Sequence, residues 1–200
     1  MKTNTCKLDI DKSSQIYPNV ILLGRVKIGK NTVVLPGSVI ENSTIGDNCQ
    51  IKSSYIENST IKNNITIGPF AHIRPDSEVN SNCKIGNFVE VKNSTLGENT
   101  KASHLAYIGD AIVGKNCNIG CGAIFVNYNG KEKQKSIVGD NCFIGSNANI
   151  IAPVKLANNT YICAGTTVTT NSNPNDFIIG RARETIKPGL AEKYLGQVKK

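Results

Sequence analysis

The sequence predicts an all-β protein, a parallel β-helix of six-residue repeats followed by a short C-terminal helix. Three observations carry this. Aliphatic residues return every six residues, occasionally every five, from Ile16 to Val168. Gly and Asn, which tolerate left-handed backbone angles, fill the intervals. Hydrophobic residues make up only 39% of the chain and Trp is absent, which is thin for a single central core, yet the aliphatics are spaced too regularly for disorder.

The anchors begin at Ile16, Leu22, Ile28, Val34 and Ile40 and continue through Ile45, Ile51, Ile56, Ile61, Ile67 and Ile73. Val79, Ile85, Val91 and Leu96 follow, then a weak member at Ala102, then Ile108, Val113 and Ile119. After an interruption the series resumes at Val138, Ile144, Ile150, Leu156, Ile162 and Val168. A period of six fits neither a helix nor a simple alternating strand. It fits a coil of three short faces, about 18 residues per turn, whose stacked turns bury one narrow column. Cys49, Cys83, Cys117 and Cys142 each follow an anchor by four residues, in a column shared with Ser38, Ala71, Thr95, Thr100, Ala106 and Ala148. They are expected to be small packing residues, not ligands or bridges.

Residues 16–180 form the expected β-helix domain, preceded by an N-terminal extension at 1–15. The polar stretch 127–136 (NYNGKEKQKS in its core) has no anchor and is expected to leave the coil as a loop, a natural place for function. The tail at 181–200 should carry the helix after Pro188, with Leu190, Tyr194, Leu195 and Val198 as an apolar stripe that caps the solenoid or packs on a neighbour.

A net charge of +8, mostly from scattered Lys, allows anionic partners such as phosphorylated metabolites but equally a solvated surface. Aromatic residues do not interleave with a basic stripe, so nucleic acid is not expected. No apolar run approaches a membrane span and no secretory leader is evident, so the chain is expected to work in the cytoplasm, without a membrane partner. The seven cysteines, without a CxxC pair, agree with a reducing compartment.

The chain has two histidines, His72 and His104, too few and too dissimilar in context for a three-histidine metal site. No metal is expected. His72, in GPFAHIRP, reads as structural. His104 sits in KASHLAYIGD beside the thinned anchor Ala102 and near Tyr107, an arrangement that suggests a pocket but equally allows a structural histidine. Arginine is used at four places, Arg25, Arg74, Arg181 and Arg183, where either a bidentate grip on phosphate or a structural ion pair would explain it.

GPFAHIRP (68–75), KIGNFVEVK (84–92), KASHLAYIGD (101–110), CNIGCGAIFVNYNGKEKQK (117–135) and IGSNANIIAPV (144–154) occur in this order and spacing. Together they resemble the acetyltransferase half of the bacterial family combining glucosamine-1-phosphate N-acetyltransferase with N-acetylglucosamine-1-phosphate uridyltransferase. The hexapeptide repeats are shared by many acyltransferases; NFVEVK, SHLAYIGD and NYNG followed by Lys133 are far more specific. The resemblance implies a left-handed helix, although parallel crossovers in general are right-handed.

It further implies acetyl transfer from acetyl-CoA to glucosamine-1-phosphate, for UDP-N-acetylglucosamine and cell-wall precursor synthesis. His104 would be the general base, a role suited to imidazole. Arg74 and Lys92 would hold the sugar phosphate, Tyr107 and Asn118 would orient the sugar, and Lys133 would approach it from the loop. Asn127 and Tyr128 would contact acetyl-CoA at the loop base. Cys121, Ser146 and Ala164 would line the pantetheine path, and Arg181 would meet the phosphate or adenine end. A homotrimer is implied, so that one site draws on neighbouring subunits.

This sequence departs from the family in three ways. The uridyltransferase domain with its Mg²⁺ site has no counterpart, so that reaction is not expected; the chain would be either a stand-alone enzyme partnered by a separate uridyltransferase or a domain excised from a longer protein. Phe125 and Asn129 replace a Thr-rich approach to NYDG and are expected to alter the loop entry and its acceptor or CoA contacts. The linker before the β-helix is reduced. Another amino sugar or nucleotide sugar as acceptor, or a non-catalytic scaffold, are the alternative readings.

Overall fold

The computed structural model describes residues 6–196. Its chain winds as a left-handed parallel β-helix with a triangular cross-section. Face A has nine strands, from Lys7–Ile10 to Lys155–Leu156. Face B has ten, from Gln15–Ile16 to Phe177–Ile178, and face C nine, from Ile21–Leu23 to Thr167–Val168. Every pairing between these strands is parallel and joins a coil only to its neighbours, as in Ile45, Ile61 and Val79 up face A.

The anchors do what their spacing demands. From Ile28 to Val168 each is buried, and they merge into one apolar cluster along the axis. Strands two to four residues long suffice because no side chain has far to reach. Cys49, Cys83, Cys117 and Cys142 are free, buried thiols pointing inward. Burial pushes the Cys49 thiol up and Cys83 up to about 11, so neither supplies a nucleophile. Thr95 does not belong to their column. The step from Val91 to Leu96 is five residues, so the small inward position is Ser94 and Thr95 lies in a strand, partly exposed.

Four other expectations need correction. Phe125 is not part of the loop entry: it is the missing anchor, six residues after Ile119, fully buried and in register with Ile150. Ala102 is likewise fully buried, so the thinned anchor faces the core and opens no pocket at the surface. The β-helix begins earlier than expected: Lys7–Ile10, within the expected N-terminal extension, pairs with Arg25–Ile28, while Phe177–Ile178, inside the expected domain but past the last anchor Val168, pairs with Tyr161–Ile162. Finally, the helix Ala191–Leu195 does not cap the solenoid: it buries nothing within the chain, Leu190, Tyr194 and Leu195 are exposed, and Val198 lies outside the described residues. Five residues give too little apolar surface to hold the helix against the coil.

Candidate functional site

The candidate residues collect on two edges of the prism, on either side of face C. The first edge lies between faces B and C. There the strands Lys84–Asn87 and Lys101–His104 run longer than their neighbours and carry Asn87 and His104 in register to the corner. Their backbones approach so closely that a Cβ on Gly86 would fall 1.8 Å from the Ser103 carbonyl oxygen, so only glycine fits. His104 Nδ1 lies 2.8 Å from Asn87 Oδ1. Pairing a ring nitrogen with an amide oxygen makes Nδ1 the donor and leaves Nε2 with a free lone pair on an exposed side chain.

Cys121, Ser146 and Ala164 continue this edge upward, one coil at a time. The backbone bonds Gly122 N–H to Leu105 O, Asn147 N–H to Cys121 O and Gly165 N–H to Ser146 O fix that order. Arg181 closes it, its Nη1 donating to Ala164 O at 2.9 Å. Five of the residues singled out from the sequence therefore form one exposed ladder.

The second edge lies between faces C and A, where Arg74, Pro75, Asp76, Lys92, Asn93, Asp110 and Lys133–Lys135 surround a cavity of about 500 Å³. Arg74 donates to Glu90 at 2.8 Å, a bond that raises its pKa and keeps it a permanent cation. Lys92 stands 3.7 Å from Asp110. The loop reaches the same cavity through a short hairpin in which Tyr128 bridges Lys133 and Gln134 N–H donates to Asn127 O at 2.7 Å. Asn129 shapes the loop itself: its Oδ1 takes the N–H groups of Lys131 and Glu132, both at 2.9 Å. Tyr107 lies flat on face C, its hydroxyl accepting from Asn127 at 3.3 Å, with Gly109 leaving the room its ring needs.

Asp110 is the residue that organises this edge, and it was missed. It is 5% exposed, and it accepts from Asn127 Nδ2 and, at 2.5 Å, from Asn93 Nδ2. Burial alone would raise its pKa, but the bonds from Asn93 and Asn127 and the charges of Lys92 and Lys133 outweigh that and lower it. The available signal was its place at the end of SHLAYIGD, at a corner position with φ 49° otherwise filled mainly by Asn. The Lys133 pKa is lowered as well, by its contact with Lys92 and then by the charge of Lys92. Two ammonium groups held together are what an anion would relieve.

Because its folded pKa is depressed, the stabilisation through Asp110 is complete above the ordinary carboxylate value of 3.8 and is lost as pH falls through the depressed one. Asp110→Asn is expected to cost about 1–3 kcal/mol at neutral pH, because an amide cannot accept all of these bonds. Melting curves should show the gap between wild type and variant holding above about pH 5 and closing in stronger acid. A gap that does not change with pH would contradict this role.

Asn118 joins neither edge. It faces out of face B beside Lys101, in the coil of Cys121. Tyr128 is exposed, with its hydroxyl bonded to Gly130 O at 2.8 Å. His72 is half-buried against Tyr55, and its Nε2 lies 3.0 Å from Glu57, a structural setting as read from sequence. Among the described residues no group of His, Cys, Asp and Glu is placed to hold a metal ion, and no helix is long and apolar enough to cross a membrane.

Comparison with known proteins agrees with this architecture. The GMPPB C-terminal domain family matches residues 55–129, and the bacterial transferase hexapeptide family (six repeats) matches 135–170. The "Bifunctional protein GlmU" of Clostridioides difficile is 50% identical over 92% of this chain and 40% of its own length. That of Caldicellulosiruptor saccharolyticus is 53% identical over 90% of the chain and 39% of its own length. The chain thus spans about two fifths of the curated relatives it matches. Among solved structures, LpxA, a UDP-N-acetylglucosamine acyltransferase from Bacteroides fragilis, superposes with a TM-score of 0.60 at 18% identity, covering 84% of this chain and 69% of that one. An Arabidopsis UDP-N-acetylglucosamine acyltransferase gives 0.52 at 15% identity, covering 86% and 71%. Both share the fold.

Proposed function

We propose that this chain, a relative of the bifunctional GlmU proteins matching their C-terminal part, is an acyltransferase that moves the acetyl group of acetyl-CoA onto the nitrogen of glucosamine-1-phosphate. The observation that carries the reading is the exposed ladder of His104, Cys121, Ser146, Ala164 and Arg181, with His104 oriented by Asn87. In this reading acetyl-CoA lies along the ladder. Small side chains admit the thin pantetheine arm, and Arg181 meets a phosphate of the CoA end.

The amine attacks the thioester carbonyl as His104 Nε2 takes the amine proton; the carbon–sulfur bond breaks, and the CoA thiolate leaves and is protonated. A neutral tautomer fixed by Asn87 presents the correct nitrogen without a further step. No covalent enzyme intermediate is needed, which suits a chain whose core thiols are buried.

Arg74, Lys92 and Lys133 supply the charge that a sugar phosphate requires, with Tyr107 and Asn118 orienting the ring. These groups occupy two edges and face B of one chain, so the complete site is assigned to a homotrimer in which neighbouring subunits contribute. Asn87 is added to the assigned set as a residue that positions His104.

The test is thiol release from acetyl-CoA on addition of glucosamine-1-phosphate. Release that depends on the sugar phosphate is expected; release with some other amino sugar alone would overturn the acceptor. Lys92→Ala is expected to raise KM for the sugar phosphate about 10- to 100-fold, the worth of one charged hydrogen bond, while KM for acetyl-CoA stays near wild type. An equal rise in both constants would remove Lys92 from the phosphate site.

A further inference from the structure

Up face B, the side chains that point outward change in kind. From Gln50 through Thr66, Lys84 and Lys101 to Asn118 they are polar and stand in register, one per coil. The next three coils carry Phe143, Tyr161 and Phe177 in the same column. Their rings form one stack. Phe143 and Tyr161 have centroids 4.6 Å apart with planes 11° from parallel, and Tyr161 and Phe177 are 5.1 Å apart at 10°. On the other two faces the outward positions of these coils hold Ile137, Lys155, Asn149 and Thr167, so the aromatic run is confined to face B.

Cross-strand packing accounts for Phe143 and Tyr161, since Tyr161 has a ring on each side. It does not account for Phe177. This residue lies in the last strand of face B, is 64% exposed, and stacks on Tyr161 through one ring face only. Among the described residues no other ring covers the second face. The place where this face opens is specific. Each ring precedes one rung of the His104 ladder by three or four residues: Phe143 before Ser146, Tyr161 before Ala164, and Phe177 before Arg181. The stack therefore runs beside the far half of the ladder and ends in the coil of Arg181, which commits only Nη1 to Ala164 O. From His104 to Arg181 is four coil steps. At the spacing of paired strands that is about 19 Å, the reach of an extended pantetheine arm.

We propose that the open face of Phe177 is the platform for the purine base of the acyl donor, which continues the stack as its fourth ring while Arg181 meets the adjoining phosphates. The proposal rests on the acyltransferase reading, which lays the donor along the ladder. A base stacked on an aromatic ring gains from burying two flat faces and needs no hydrogen-bonding partner for its edges. Tyr161 and Phe143 back the Phe177 ring and hold its plane before the donor arrives, so little ordering is left to be done on binding. The consequence is selectivity. A thioester carrying only the pantetheine arm can occupy the ladder but has nothing to place on Phe177, whereas the complete coenzyme is gripped at both ends. A stack that served stability alone would not make this distinction.

The test is the binding of free CoA, read by calorimetry and by the ultraviolet absorbance of its base. Wild type is expected to bind CoA with the fall in base absorbance that stacking produces. Phe177→Leu keeps an apolar side chain but no flat ring. It should weaken CoA about 5- to 100-fold, the worth of one stacked base, and abolish the absorbance change at saturation. Phe177→Tyr should restore both. With S-acetylpantetheine as the acetyl donor, which lacks the base, all three proteins should show the same KM. Equal CoA affinity in wild type and Phe177→Leu, binding to wild type without an absorbance change, or a loss that extends to S-acetylpantetheine would overturn the stacking role and leave the acyltransferase reading in place. A wild type that binds no CoA would overturn both.

Discussion

His104→Ala is expected to lower acetyl transfer to glucosamine-1-phosphate by about 10²- to 10⁴-fold, the range supplied by a positioned general base. The loss should appear in kcat and in kcat/KM together, because the proton moves only as the new bond forms. The side chain is exposed and its one bond in the chain is to Asn87, so removing it leaves the core untouched and the melting temperature nearly unchanged. Asn87→Ala should reproduce part of the loss by freeing the ring, and Asn87→Asp should rescue some of it, since a carboxylate also accepts from Nδ1. Near-normal turnover in His104→Ala would take the proton-transfer role away from this residue.

Phe125→Ala should be the most damaging core substitution. Phe125 is the largest fully buried side chain, set in a column otherwise made of Ile, Val, Leu and Ala. Truncation removes its transfer free energy and leaves a void that a stack of hydrogen-bonded coils cannot collapse to fill. The expected cost is about 3–5 kcal/mol. For a chain of this size that corresponds to a fall in melting temperature of roughly 6–20 °C. Phe125→Leu, which keeps most of the volume, should lose much less. A small effect of Phe125→Ala would mean that the coil carries slack at this level, and the side chain would then need another explanation.

The period of six was enough to place nearly every inward side chain, because an inward position in a solenoid is set by local spacing alone. The errors came where the count changes. A five-residue step moved the small position from Thr95 to Ser94. An aromatic at Phe125 hid an anchor because its neighbours in the column are aliphatic. The first strand, Lys7–Ile10, fell in the expected extension because only one half-buried aliphatic, Ile10, precedes the series, and Phe177–Ile178, though inside the expected domain, is cut off from the last anchor by a polar stretch longer than one repeat.

The site was legible to a different degree. The motifs singled out His104, Lys92 and Lys133 as candidates, but not what holds them. Asn87 and Asp110 lie inside NFVEVK-bearing and SHLAYIGD segments and were passed over, since their roles exist only once one coil is stacked on the next.

In the proposed function the cationic edge selects a phosphorylated amino sugar and the His104 edge acetylates it. One competition measures this directly: acetyl-CoA is offered to an equimolar mixture of glucosamine and glucosamine-1-phosphate, and the products are weighed by mass spectrometry. Glucosamine-1-phosphate is expected to gain one acetyl group while glucosamine stays essentially unmodified. Acetylation of both sugars at comparable rates, or of neither, would contradict it.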